Sequence, residues 1–188
     1  MAAGIRWAVG RGAHVLNLSL GADVTGGPGG PAALPVAVEE AARAGAVVVL
    51  SGGNVGRPVA DSYGAAALVV AATGPNGTLA SYSQQGAGID LAAPGGDPLT
   101  PDRCTQQDCV TSLFPGGGYA VAAGTSMAAP LVAGVAALLV AQDPARTPGE
   151  VGRPPASAGA DTRQALRAWG CEADEVQQLE TDGVVLQA

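Results

Sequence analysis

The residues best suited to covalent chemistry lie in Gly124-Thr125-Ser126-Met127-Ala128-Ala129-Pro130, which runs on into the apolar stretch 131–140. A short flexible turn that opens straight into an apolar helix puts the Ser126 hydroxyl and N–H at the positive end of the helix dipole. That position suits a nucleophile, because unpaired N–H groups around it can hold the oxyanion formed when a serine attacks a carbonyl. The stretch is apolar on every face, which predicts a helix buried on nearly all sides. Pro130 falls early enough in it to remove few hydrogen bonds. The plainer reading is a buried helix with an ordinary Ser or Thr at its start.

This segment closely resembles the active-site serine segment of subtilisin-like serine proteases, Gly-Thr-Ser-Met-Ala-x-Pro followed by a small, apolar helix. Leu131 stands where that family usually has a histidine, one that is not a member of its catalytic triad. Residues 14–21 resemble the family strand whose Ser-Leu-Gly end pairs with the substrate backbone and walls the pocket for the residue before the scissile bond. The resemblance gives that role to Ser19, Leu20 and Gly21, by strand addition of an extended peptide. Residues 47–54 resemble the strand ending in Ala-Gly-Asn. Asn54 then becomes the side-chain donor of the oxyanion hole, with the Ser126 N–H as the second donor. An amide serves there because it donates without a competing charge. Ser51, Gly52 and Gly53 would form the opposite pocket wall, open because glycine has no side chain. Ala80-Ser81-Tyr82-Ser83 and residues 61–72 and 90–95 resemble the family's linking segments. The resemblance covers residues 4–141 and is loose beyond Asp143.

The same resemblance implies a catalytic aspartate and histidine preceding the Ser-Leu-Gly strand, in the chain order Asp, His, Ser. Neither is found. His14 is the chain's single histidine, and at the start of its strand it is directed down the far side of the sheet, away from a serine at the strand ends. An α/β-hydrolase elbow, G-x-S-x-G, differs by one residue from Gly124–Ala128, but that fold needs a histidine after the serine and none follows. Two readings remain. One is the C-terminal part of a serine endopeptidase domain, truncated at its N-terminal side, whose partner would be that missing N-terminal part. The other is a catalytically silent module of the same fold that only binds or scaffolds.

The elements that must hold these residues follow a βαβ rhythm. Residues 2–11 read as a helix stopped by Gly12, residues 15–20 as a strand, residues 32–44 as a helix ending at Gly45, and residues 46–50 and 68–72 as continuous apolar strands of a parallel sheet. Residues 26–31 and 95–118 read as loops, 148–159 as a linker, 160–188 as a tail with a short helix at 162–169 and a closing strand at 183–186. The expected fold is α/β, three-layer, with a mainly parallel subtilisin-like sheet, and residues 1–188 belong to one such domain.

Composition narrows the classes further. The 188 residues carry a net charge of -7, and nine Arg with no Lys supply all the fixed positive charge. The acidic balance argues against nucleic acid and anionic membrane surfaces as partners, and the absence of Lys removes Ser–Lys dyads, Schiff bases and lysine-held phosphate loops. The resemblance implies a peptide or protein substrate. Residues 132–140 are too short for a membrane span, and Met1 to Arg6 lacks the form of a signal peptide. With 47% hydrophobic but only 3% aromatic residues, the core must be close-packed Ala, Val and Leu. Cys104 and Cys109, close together in a turn-rich loop, are expected to form a disulfide, which the usual secretion of bacterial members of the family supports; Cys171 stays free. By resemblance the protein is secreted or at the cell surface. Calcium is common in the family, but no loop has a recognisable ligand spacing, and no metal site is named.

Overall fold

The structure is a computed structural model, which describes residues 1–21, 33–59, 63–100, 103–143, 167 and 172–181. The loop at 26–31, the linker at 148–159, the strand at 183–186, Cys171 and nearly all of the helix at 162–169 lie outside the described residues. The chain divides into two compact units, Met1–Gly152 and Arg153–Ala188. In the first, the order is α1 (Ala2–Gly10), β1 (Val15–Gly21), α2 (Ala33–Arg43), β2 (Val47–Ser51), a 3-10 turn (Gly64–Ala66), β3 (Leu68–Thr73), β4 (Leu91–Pro94), β5 (Val110–Phe114), β6 (Gly118–Ala122) and α3 (Thr125–Gln142). The second contributes α4 (Ala173–Thr181).

Helices α1 and α2 stop for the same reason. Gly12 and Gly45 sit at φ +84° and +87°, the left-handed region that glycine enters without a Cβ clash. In each, the glycine N–H and the next N–H reach back into the last turn: Gly12 to Val9 and Ala13 to Ala8, Gly45 to Ala42 and Ala46 to Ala41. The chain is thereby turned into β1 and β2.

Four strands pair in the order β1-β2-β3-β4, all parallel. Side chains alternate across β2, so Val48 and Leu50 face a cluster with Ile5, Leu34, Val38 and Ala41 of α1 and α2. Val47 and Val49 face the opposite cluster, with Ala128, Ala129, Ala133 and Ala136 of α3. The sheet is therefore covered on both faces, the three layers of an α/β fold.

Two features depart from the sequence expectation. The supposed irregular loop 95–118 contains β5, which pairs antiparallel with β6 across a Pro-Gly-Gly turn in which Gly116 and Gly117 take φ +92° and +85°. The apolar helix is not buried all round. Ala129, Ala133, Ala136 and Val140 recur at helical spacing against the sheet, whereas Leu131, Val135 and Leu138 are 44–69% exposed. At 18 residues, α3 is also longer than the apolar run suggested and apolar enough to cross a membrane by length and composition alone. Its contacts with all four parallel strands make it a layer of this domain.

Ala136→Leu, at a position with no exposure, is expected to lower stability in urea by about 1–3 kcal/mol through overpacking. Leu138→Ser on the other face should change it by no more than about 0.5 kcal/mol. Equal losses at the two positions would place both faces in a core.

Candidate active site

The carboxyl ends of β1 and β2 and the start of α3 meet at one place. Thr125, with no exposure, is the joint. Its N–H and Oγ1 donate to Asn54 Oδ1 at 2.9 and 2.8 Å, and its Oγ1 accepts the Gly53 N–H at 3.0 Å. A backbone N–H can only donate, so Asn54 must turn its oxygen toward Thr125, and its amino group is left for another acceptor. A methyl built on Gly124 would sit 3.3 Å from Asn54 Nδ2 and 3.7 Å from the Ser126 nitrogen. The two donors thus border the same small space, beside a first-turn N–H that has no carbonyl a turn behind it within α3.

Glycine at 124 is a requirement of that geometry. Its φ of +155° suits no L side chain, and its N–H is held by the Gly95 carbonyl at 2.9 Å. Tyr82 supports the same joint, donating from its hydroxyl to Gly95 O at 2.9 Å and Gly96 O at 2.6 Å. Asp97 beside it accepts from the Ser81 N–H and hydroxyl. Burial pushes the Tyr82 hydroxyl up from 10.0 to about 12, and the Asp97 charge adds to the shift.

The other candidates are placed as follows. Ser19 donates from Oγ to the Ser126 carbonyl at 2.9 Å, so its side chain braces the turn at Ser126 rather than facing a ligand. Register with β2 slips between Leu18 and Gly21, so Ser19 and Leu20 bulge out of the ladder at the sheet edge. Gly52 and Gly53 are buried, and they do not leave an open wall. A Cβ on Gly52 would lie 2.7 Å from Ile89 Cδ1, and one on Gly53, at φ +112°, 1.6 Å from Gln84 Oε1. Glycine is needed there so that the core can close over β2. Ser51 is 1% exposed, and its hydroxyl has no hydrogen-bond partner among the described residues. His14 lies at the opposite end of β1 beside Val140, five residues or roughly 17 Å from Ser19 along the strand. Cys104 and Cys109 are joined by a disulfide.

Sequence reading missed Thr125, Tyr82 and Gln84 as parts of the site. A small hydroxyl residue directly before Ser126, and the polar run 81–85 between two apolar segments, are the signals that could have found them. A cavity of about 540 Å³ opens beside Asn54, lined by Tyr82, Leu99, Cys104, Val121 and Ala122 among others.

The model of the subtilase family matches residues 1–168. The chain belongs to the subtilase family. It is 40% identical over 149 residues to alkaline elastase YaB of a Bacillus species, covering 77% of this chain and 34% of that protein. Against subtilisin Savinase of Lederbergia lenta it is 42% identical over 147 residues, covering 77% and 48%. Among solved structures, a protease from Pseudoalteromonas arctica matches with TM-score 0.69 and 34% identity, over 80% of this chain and 48% of that one. A second, the self-cleaved protease domain of PatA, matches with TM-score 0.62 and 31% identity, over 80% and 54%. The subtilase chain described here spans about a third to a half of the curated relatives it matches.

Thr125→Val keeps the shape but leaves the Gly53 N–H without its acceptor, and the expected loss is about 1–3 kcal/mol in denaturant unfolding; an unchanged midpoint would remove Thr125 as the joint. For Tyr82, the folded chain keeps a proton that the unfolded chain releases near pH 10. Its stabilisation is full below about pH 10 and is lost as pH rises toward 12. Urea midpoints at pH 9 and pH 11 should therefore fall less in Tyr82→Phe than in the parent protein.

Proposed function

We propose that this chain carries the nucleophile, the oxyanion donors and one peptide-aligning strand of a serine endopeptidase, and that the full-length protein hydrolyses peptide bonds. The observation that carries this reading is the Thr125–Asn54 pairing, which turns an uncharged donor toward the same space as the Ser126 N–H. Ser126 Oγ attacks the scissile carbonyl of a peptide or protein substrate. As the carbonyl oxygen gains charge, Asn54 Nδ2 and the Ser126 N–H donate to it. Ser19, Leu20 and Gly21 align the peptide by main-chain pairing at the sheet edge, with Ser51, Gly52 and Gly53 supporting the far wall from within the core.

A serine hydroxyl needs a base to take its proton and return it to the leaving amine. His14 is at the wrong end of β1, so the histidine and aspartate come from residues outside this sequence. The outer edge of β1 and the apolar face of Leu131, Val135 and Leu138 are where the polypeptide supplying them would pack. The lack of a base within reach is also what favours the second reading, a silent subtilase-like module. Secretion fits the disulfide. Among the described residues no group of three His, Cys, Asp or Glu could hold a metal, and no step is routed through calcium.

A fluorophosphonate probe and an unstructured peptide test these readings. Labelling of Ser126 in the full-length protein but not in the 188-residue chain is expected. Labelling in neither would support the silent module, and rapid labelling of the short chain would mean that a base within it reaches Ser126. In the full-length protein, Asn54→Leu should slow hydrolysis by about 100- to 1,000-fold, a range already known for this kind of donor in subtilisin itself.

A further inference from the structure

Pro130, inside α3, acts on a residue one turn behind it. In an α-helix the carbonyl of residue 126 accepts the N–H of residue 130, but proline has no N–H, and its ring crowds that carbonyl. The carbonyl deprived of its helical donor is that of Ser126. β1 supplies a replacement, because the Ser19 hydroxyl donates to it at 2.9 Å. A hydroxyl has one hydrogen and a carbonyl can only accept, so that hydrogen is committed to Ser126 and Ser19 Oγ is left to accept. Asn17 Nδ2 donates to it at 3.1 Å. Asn17 is in register with Val49 of β2, inside the ladder, whereas Ser19 belongs to the bulge beyond it. A relay therefore runs from a fixed strand position, through a residue the ladder does not hold, to the Ser126 carbonyl. Donation into Ser19 Oγ strengthens the bond that Ser19 gives.

The backbone around Ser126 shows what the relay completes. The peptide plane that follows Ser126 carries its carbonyl and the Met127 N–H, and that N–H donates to the Gly124 carbonyl at 2.9 Å. With Ser19 on the carbonyl, the plane is held at both ends. On the other side of Ser126, the Thr125 N–H is held by Asn54. Ser126 is thus pinned from β1 through Ser19 and from the end of β2 through Thr125, and none of these bonds uses its own N–H or hydroxyl. A direct role in peptide binding would need the Ser19 hydroxyl to face the substrate, and its hydrogen is already committed.

We propose that Asn17 and Ser19 are positioning residues for Ser126: together they hold the carbonyl that Pro130 leaves without a helical donor, and so fix the direction in which the Ser126 hydroxyl and N–H meet the scissile carbonyl. The positioning role rests on the endopeptidase reading; the hydrogen-bonded relay does not. Displacing a reacting group by about 1 Å can cost about 100-fold in rate, so loss of one bond of the relay is read in kcat.

The test is steady-state hydrolysis of an internally quenched fluorescent octapeptide with a central Ala-Ala by the full-length protein, together with urea unfolding of the same variants. Ser19→Ala and Asn17→Leu should each lower kcat about tenfold, the rate equivalent of one neutral hydrogen bond, and leave KM within about twofold. Ser19→Thr, which keeps the hydroxyl, should stay within about threefold of the parent kcat. Unchanged kcat in the first two variants, or a raised KM at constant kcat, overturns the proposal. The deciding variant is Pro130→Ala, which returns an N–H to the Ser126 carbonyl. In that background Ser19→Ala should cost less than about twofold in kcat, and the fall it causes in the urea midpoint should shrink to less than about half of that seen with Pro130 in place. An equal cost in both backgrounds overturns the proposal, since the effect of Ser19 would then be independent of the carbonyl that Pro130 leaves bare. A parent protein that hydrolyses nothing ends the peptidase reading, whereas an active parent whose kcat is indifferent to Ser19 and Asn17 ends this proposal alone.

Discussion

Everything at the candidate site hangs on one buried hydroxyl residue. Thr125 takes the N–H that leaves β2 at Gly53 and gives its own N–H and hydroxyl to Asn54, so a single side chain ties a strand end to a helix start and sets the orientation of the amide between them. Thr125 has no exposure and Gly53 is buried, so their groups cannot exchange partners for water at low cost. Asn54 itself is exposed. An exposed amide would ordinarily sample several rotamers, and here the two donors from the helix fix it.

That joint depends in turn on how close α3 can approach the sheet. The face of α3 that meets β2 and β3 is built of Ala128, Ala129, Ala133 and Ala136, while the strands opposite supply Val47, Val49 and Val70. Small residues on the helix against branched residues on the strands give a thin, dense layer. Gly95 shows the same economy of space: a Cβ there would lie 2.5 Å from Ala72 and 2.8 Å from the Gly124 carbonyl. The composition, rich in Gly and Ala and poor in aromatics, is the sequence trace of that close approach.

The layered fold was legible because its signals are local. Continuous valine runs predicted doubly buried strands, and Gly12 and Gly45 fixed the helix ends to within one or two residues. Ser126 and Asn54 were legible through a resemblance, since spacing in sequence alone does not say that residues 72 positions apart lie side by side. The rest depended on tertiary information. The exposure of Leu131, Val135 and Leu138 follows from which neighbours α3 has, and a uniformly apolar helix carries no pattern that reveals it. Gly52 and Gly53 looked like a bare pocket wall, and only the positions of Ile89 and Gln84 show that their missing side chains make room for the core. The β5–β6 hairpin was hidden by its own turn, whose Pro and glycines resemble a loop, although a Pro-Gly-Gly turn between two β-prone runs is itself a hairpin signal.

The Gly95–Gly124 hydrogen bond has a consequence for how this molecule can change over generations. It clasps the two ends of the excursion that holds the disulfide and the hairpin: the chain departs from β4 at Gly95 and returns to the same carbonyl at Gly124. The first residues of the excursion are also tied to the domain, Gly96 through Thr73 and Tyr82, and Asp97 through Ser81, so the attachment lies close to the clasp. Lengthening a loop whose ends are already fixed raises the closure entropy only slowly, by about 0.6 kcal/mol for each doubling. The hairpin beyond those ties can therefore be lengthened or shortened while the turn at Ser126 keeps its shape. In engineering terms it is a cartridge: a place where new surfaces can be inserted next to the candidate site without redesigning the site itself.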